Sequence, residues 1–216
     1  MADVKIAIIG VGNVGGNLGV RLARSGFPVR FGVRPGADVK ALLERCGGQA
    51  QAGSVREVAA WADVVFFAVP STAAVAAARD AGDLTGKVAV DCNNPVAFDA
   101  SGPTVAPVPE GSLTAALAKA VPGARWVKAF NTFGAEFHGD PALSGKAVDV
   151  HLAGDDAAAK ATVAAIAKQA GFQPLDCGPL RNASLLEHLA VLWIHLALKG
   201  GQGRQVAFKL LPRAAS

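Results

Sequence analysis

The sequence predicts an α/β fold, a doubly wound parallel sheet of the Rossmann kind with a small C-terminal α/β extension, and three observations carry that prediction. The first is Val4-Lys-Ile-Ala-Ile-Ile-Gly10-Val-Gly12-Asn13-Val14-Gly15-Gly16, an apolar run broken only by Lys5, then a glycine turn, then a helix opening. The second is the recurrence of short apolar runs between helical patterns, which reads as β-α alternation and hence a parallel sheet. The third is that the runs at 4–9 and 63–69 are apolar apart from Lys5 and Asp63, as in strands covered by helices on both faces.

The glycine turn carries chemistry as well as shape. In a strand, turn and helix context, G-x-G-x-x-G assigns Gly10 to the tight turn, Gly12 to close approach of backbone to a pyrophosphate, and Gly15 to helix-to-strand packing. The helix start offers free N–H groups and a positive dipole end to phosphates. Gly10, Val11, Gly12, Asn13, Val14 and Gly15 are therefore the first candidate cofactor contacts. The second strand, Pro28–Arg34, ends in Arg34 with no Asp or Glu beside it. A carboxylate there would hold the ribose 2′-OH of NAD, whereas an arginine accepts the 2′-phosphate of NADP through a charge that does not titrate. NADP(H) is the expected cofactor.

The remaining elements follow in order. Asn17–Ser25 is a helix stopped by Gly26, and Asp38–Cys46 is a second one closed by Gly47-Gly48. Ser54 and Glu57 have capping-box spacing and open a third. Asp63–Val69 is a strand stopped by Pro70, Ser71–Ala81 a helix, and Lys87–Cys92 is counted as the fifth strand of a βαβαβαβαβ alternation. The strand between the second and third helices is given no residues. Val96–Glu110, with three prolines, reads as a loop of the length that is mobile or functional. Ser112 caps a helix through Leu117, and Trp126–Thr132 is the sixth strand. Ala135–Gly145 reads as irregular, Ala147–Leu152 as a strand, Asp155 as the cap of a helix to Ala170, and Phe172–Asp176 as a strand. The last helix, Ala183–Lys199, aligns Leu185, Leu189, Leu192 and Leu196, a stripe expected to be buried on the sheet or on a partner subunit.

Composition narrows the setting. A chain of 216 residues, 51% apolar and 18% charged, is long enough for one large core and is not disordered. The 21 basic residues are scattered, which argues against nucleic acid as a partner. Three distant cysteines without C-x-x-C predict reduced thiols in a cytoplasm. Met1–Lys5 runs into the first strand without room for a signal peptide, and Leu189–Leu198 is too short to span a bilayer.

The chain has no tyrosine, so the Tyr-x-x-x-Lys proton donor of short-chain dehydrogenases is impossible. His138, His151, His188, His195 and the lysines remain as acids, none with a partner at catalytic spacing, and no zinc spacing exists. Hydride transfer between two redox cofactors does not need a side-chain acid, because the cofactors carry the chemistry and the protein supplies position. The crevice at the strand ends should be lined by Gly12–Gly15, Val69-Pro70, Asn93-Asn94-Pro95 and Phe130-Asn131-Thr132. Val69, Pro70, Asn94 and Ala135 join the glycine loop and Arg34 as expected cofactor contacts; Asn93, Pro95, Phe130, Asn131 and Thr132 are the expected contacts to the second substrate. No catalytic side chain and no metal ligand is assigned.

These residues resemble a known family. G-x-G-N-x-G at 10–15, F-G-V-R at 31–34, V-P at 69–70, D-C-N-N-P at 91–95, V-K-A-F-N at 127–131, L-A-G-D-D at 152–156 and G-F-Q-P-L-D-C-G-P-L at 171–180 are similar to the NADP oxidoreductases that act on the deazaflavin coenzyme F420. They are also similar to the related N-terminal reductase domain of the STEAP metalloreductases. The resemblance implies an NADP-binding Rossmann domain over 1–145, a small part over 146–216 packing over the cleft, and a homodimer. At Asn131 the deazaflavin enzymes are expected to carry a histidine, while K-A-F-N and D-C-N-N-P are nearer the metalloreductase branch, whose partner is a flavin. Three functions stay open: hydride transfer between NADPH and F420 or a flavin, reduction of a small organic substrate, and an NADP-binding redox sensor without turnover.

Overall fold

Ile6–Ile9 carries no polar side chain and is buried along its whole length, forming β1 near the middle of a six-stranded parallel sheet. The computed structural model describes residues 4–213; the readings made of Met1–Asp3 and of residues 214–216 lie outside them. The chain continues through α1 (Asn13–Arg24), β2 (Val29–Val33), α2 (Lys40–Arg45), β3 (Ala50–Ser54), α3 (Val55–Trp61), β4 (Val64–Phe67), α4 (Ala74–Asp80) and β5 (Val88–Asp91). An antiparallel hairpin, β6 (Val96–Asp99) and β7 (Gly102–Val105), precedes α5 (Leu113–Ala120) and β8 (Arg125–Lys128). The main sheet has the order β3-β2-β1-β4-β5-β8 with all pairs parallel, so the order reverses between β1 and β4. That reversal opens a crevice outside the carboxyl ends of the strands.

Alternation along each strand sorts the core into two layers. Ile6, Ile8, Phe31, Phe66, Val90 and Val127 pack with Leu18 and Leu22 of α1 on one face. Ala7, Ile9, Val65, Phe67, Ala89 and Trp126 pack with side chains of α3, α4 and α5 on the other. Beyond β8 come α6 (Ala135–Gly139), a two-residue hairpin β9 (Ala142–Leu143) and β10 (Lys146–Ala147), β11 (Asp149–Leu152), α7 (Ala157–Gln169), β12 (Gln173–Asp176) and α8 (Ala183–Leu198). β11 pairs in parallel with β12 and reaches β8 through an antiparallel bridge between Ala153 and Lys128. Val150, Leu152, Val163 and Ile166 join the α1-side core.

Several local expectations need correction. The capping box is present, with Ser54 accepting from Glu57 N and Glu57 accepting from Ser54 N. β3, just before it, has no apolar run in Ala-Gln-Ala-Gly-Ser to mark it in the sequence; it is a half-exposed edge strand ordered by β2. The proline-bearing segment after Asn94 is a hairpin for eight of its residues, counting four in each strand. Residues 135–145 contain α6 and β9, not irregular chain. The cap of α7 is Asp156, whose Oδ1 accepts from Ala159 N at 2.7 Å, because Asp155 is turned to Leu180 N at 2.8 Å. On α8 the inward face is Ala183, Leu186, Glu187, Ala190, Trp193 and Ala197. Of the leucine stripe, Leu189 and Leu196 are half-buried while Leu185 at 63% and Leu192 at 48% are exposed, so the sheet does not bury it in the single chain.

Glycines set the turn at the crevice. Gly10 has φ of +102°, and a Cβ there would stand 2.3 Å from Ala68 O. A Cβ on Gly15 would stand 2.1 Å from Gly10 O, whereas one on Gly12 would meet nothing within 4 Å. Gly15→Ala is therefore expected to lose about 1–3 kcal/mol through forced backbone movement, and Gly12→Ala under about 1 kcal/mol as a poorer helix cap. Urea unfolding of the two variants checks this; equal losses would contradict it.

Candidate functional site

The candidate site is built where β1, β4, β5 and β8 end. α1 begins at Gly12, which caps it without a side chain, and its first turn contains no acidic residue. The first N–H groups of a helix have no intrahelical partner, so this end presents unopposed donors to the crevice. Val69 adjoins the turn, its Cγ1 being 2.9 Å from where a Gly10 Cβ would stand. Ala135 is brought to the same region by α6: Asn17 of α1 donates from Nδ2 to Ala135 O at 3.0 Å. Val11 and Val14 are half-buried, Gly12, Asn13 and Pro70 exposed. Arg34 is exposed just beyond β2, and its guanidinium makes no hydrogen bond or ion pair among the described residues.

The second group closes on itself across β5 and β8. Asn94 Nδ2 donates to Asn131 O at 2.8 Å, and Asn131 Nδ2 donates to Asn94 Oδ1 at 2.9 Å and to Leu186 O of α8 at 3.1 Å. Asn131 Oδ1 is buried without a donor. Asn93 turns back to Asp91, donating to Oδ1 from both its backbone N and its Nδ2. Pro95 is buried. Two residues of this group face elsewhere. The Phe130 ring packs edge-on against Phe66 and Phe172 in the core, and Thr132 Oγ1 lies 3.0 Å from His151 Nδ1, with Thr132 only 2% exposed.

Phe130 also holds φ of +59°, a left-handed conformation that costs a non-glycine residue roughly 1–2 kcal/mol. Its carbonyl is fixed by His138, whose Nε2 lies 2.8 Å away while Nδ1 is 3.3 Å from Gly134 O. The shorter contact makes Nε2 the protonated nitrogen of a neutral ring. His138 is thus partnered by two backbone carbonyls and supports the bent strand exit that leads to the Asn131 contact with Asn94.

Beneath the asparagines is a charged cluster that sequence reading missed. Lys128 has no exposure, and its Nζ donates to Asp91 Oδ2 at 2.9 Å, Glu187 Oε1 at 2.9 Å and Asn93 O at 2.6 Å. Thr114 Oγ1 donates to Asp91 Oδ2 at 2.7 Å and Leu113 N to Glu187 Oε1 at 3.0 Å. Burial works against the ammonium, but Asp91 and Glu187 outweigh it and raise the Lys128 pKa. With all three donors engaged, Lys128 is a structural centre.

His138 gives this region a pH signature. Burial lowers its pKa to about 4, against its carbonyl contacts, which raise it. The unfolded chain takes the proton near the ordinary value of about 6.5 and the native chain does not until about 4. The stabilisation is complete above 6.5 and is lost as pH falls through that window, by roughly 3 kcal/mol in all. Urea midpoints measured between pH 7 and pH 4 should fall in the native protein and fall less in His138→Gln, which keeps a donor for Phe130 O. The same pH dependence in both would contradict the assignment.

Comparison with known proteins places this geometry. The family model described as "NADP oxidoreductase coenzyme F420-dependent" matches residues 5–95. The metalloreductase STEAP3 of Rattus norvegicus is 31% identical over 184 residues, which is 85% of this chain and 36% of that protein. The chain thus spans about a third of the length of that relative. A crystal structure of a putative F420-dependent NADP-reductase from an Arthrobacter species has 33% identity and a TM-score of 0.87, covering 97% of this chain and 100% of its own. A hypothetical protein from Sinorhizobium meliloti has 28% identity and a TM-score of 0.73, covering 97% and 96%. With a third of its sequence shared with that reductase over the full length of both, and with the glycine turn inside the matched segment, the chain belongs to the coenzyme F420-dependent NADP oxidoreductase family.

Proposed function

We propose that the protein binds NADP(H) with its phosphates on the β1–α1 turn and its 2′-phosphate at Arg34, and passes hydride between the nicotinamide and a deazaflavin or flavin ring near Asn94 and Asn131. The observation that carries the NADP(H) reading is Arg34: a permanently charged, exposed and unpaired fork at the end of β2, with no carboxylate beside it to claim a 2′-OH. Gly10 to Gly15, Val69, Pro70 and Ala135 contact the cofactor in this reading. Asn93, Asn94, Pro95, Phe130, Asn131 and Thr132 shape the acceptor side, Phe130 through its backbone and Thr132 through His151. Residues 1–145 act as the NADP-binding domain and 146–216 as the part that packs over the cleft.

The protein works as a homodimer in a cytoplasm in this reading. The outward leucines of α8, with Phe98 at 66% exposure, form an apolar face suited to a second copy. The three cysteines are unpaired, which supports a reducing compartment. Among the described residues no helix is long and apolar enough to cross a membrane.

Purified protein mixed with NADPH and, separately, F420, FMN or FAD should consume NADPH with at least one acceptor. Arg34→Asp should lower the preference for NADPH over NADH by tenfold or more. An unchanged preference would remove Arg34 from the site, and tight NADPH binding without oxidation by any acceptor would favour a redox sensor.

A further inference from the structure

Side-chain contacts, not secondary structure, hold residues 204–211. After α8 the chain turns back through Gly200–Gly203, where Gly201 and Gly203 have φ of +70° and +71°, and residues 204–211 then cross from α6 to β11 as a strap. From Gly200 to Arg213 the sequence carries Arg204, Lys209 and Arg213 and no acid. The first two of these cations are docked on acids of the body. Arg204 donates from Nε to Glu136 Oε1 at 2.6 Å and from Nη2 to Glu136 Oε2 at 3.2 Å, with its guanidinium 5.8 Å from the centre of the Trp193 ring. Lys209 donates from Nζ to Asp149 Oδ1, and Leu210 N donates to Asp149 Oδ2 at 2.7 Å. Between these anchors Trp193 Nε1 donates to Val206 O at 2.6 Å.

Each anchor lies one step from a candidate site residue. Glu136 is in the first turn of α6, next to Ala135, and the same helix carries His138, which holds the Phe130 carbonyl. A helix of five residues does not hold itself, so the place of α6 is set by what it touches. Trp193 packs directly on its start: a Cβ on Gly134 would stand 2.8 Å from the ring. At the other anchor Asp149 is 1% exposed, and among the described residues its carboxylate accepts only from the strap. Two residues further along β11, on the same face, His151 Nδ1 lies 3.0 Å from Thr132 Oγ1. A buried carboxylate is costly unless it is paired, so the docked strap is the favoured state.

We propose that the strap is a clamp for the site: docked on Glu136 and Asp149, Arg204 and Lys209 are positioning residues that hold α6 and β11 in the arrangement to which NADP(H) binds. The inference rests on the NADP(H) reading above, in which the glycine turn at the start of α1 and Ala135 of α6 contact one cofactor. Asn17 ties the same two elements together by donating to Ala135 O at 3.0 Å. A cofactor held by both elements favours the α6 position that the strap also favours, so cofactor and docked strap stabilise each other by the same factor. No contact between strap and cofactor is needed.

Trypsin cuts after arginine and lysine, so cleavage after Arg204 and Lys209 reports strap docking in the native protein. When reclosing is faster than cutting, the cleavage rate follows the undocked population. Saturating NADPH should slow cleavage at these bonds by about fivefold or more, the lower end of usual couplings, and by more than it slows cleavage after Lys119 on α5. Arg204→Gln should weaken NADPH binding by about threefold or more, a part of that coupling, and Arg204→Lys should recover some of the loss. A role in stability alone would lower the urea midpoint of Arg204→Gln and leave its NADPH affinity unchanged. Equal slowing at Lys119 and at the strap bonds, or unchanged NADPH affinity in Arg204→Gln, would overturn the inference while leaving the NADP(H) reading intact. If the native protein binds no NADPH, that reading fails and the clamp fails with it.

Discussion

The interaction on which the rest of the site depends is the buried bonding of Lys128 to Asp91 and Glu187. Removing Lys128 from this cluster would leave two buried carboxylates without a cation, a loss of the kind that costs about 3–5 kcal/mol. What the cluster provides is placement. Lys128 ends β8, Asp91 ends β5, Glu187 lies on α8, and Leu113 with Thr114 opens α5, so four elements meet at one ammonium. Its third donor holds the Asn93 carbonyl, which fixes the start of the Asn93-Asn94-Pro95 turn. An apolar replacement could fill the space, but it would not set the register of α8 against the strand ends.

From that centre the site divides into two halves with different physics. On the β1 side the backbone dominates: a left-handed Gly10, a close Gly15 and a helix start with free N–H donors give the geometry that suits an anion without a side-chain cation. Arg34 adds a charge at the far end of β2, where a surface position costs nothing to leave unpaired. On the β8 side the side chains do the work. The Asn94 and Asn131 amides lock to each other, His138 holds the strained Phe130 exit, and Leu186 ties the pair to the last helix. In the proposed function the first half holds the dinucleotide and the second meets the acceptor that the nicotinamide faces.

How much was legible in the sequence follows the same division. The apolar run of β1, the capping box at Ser54 and Glu57, and the glycine turn are encoded by residues within a few positions of one another, so local chemistry reveals them. β3 was not legible because its order comes from β2 and not from its own side chains. Asp155 and Asp156 are equally good caps by type, and the choice between them is made by Leu180, 25 residues away. The Asn94 and Asn131 amides could be named from the strand ends, but their mutual bonding spans 37 residues. Lys128 and Glu187 are 59 residues apart, on a strand and a helix whose apposition no periodicity predicts. His138 likewise looked like an isolated imidazole until Phe130 was seen to bend.

The most direct test of the account is a residue-resolved NMR titration, first with NADPH and then with an acceptor. NADPH should shift the Gly10 to Gly15 amides and the Arg34 side chain, and FMN or F420 added afterwards should shift the Asn94 and Asn131 side-chain amides. Saturating NADPH that leaves the glycine turn and Arg34 unmoved would contradict the account.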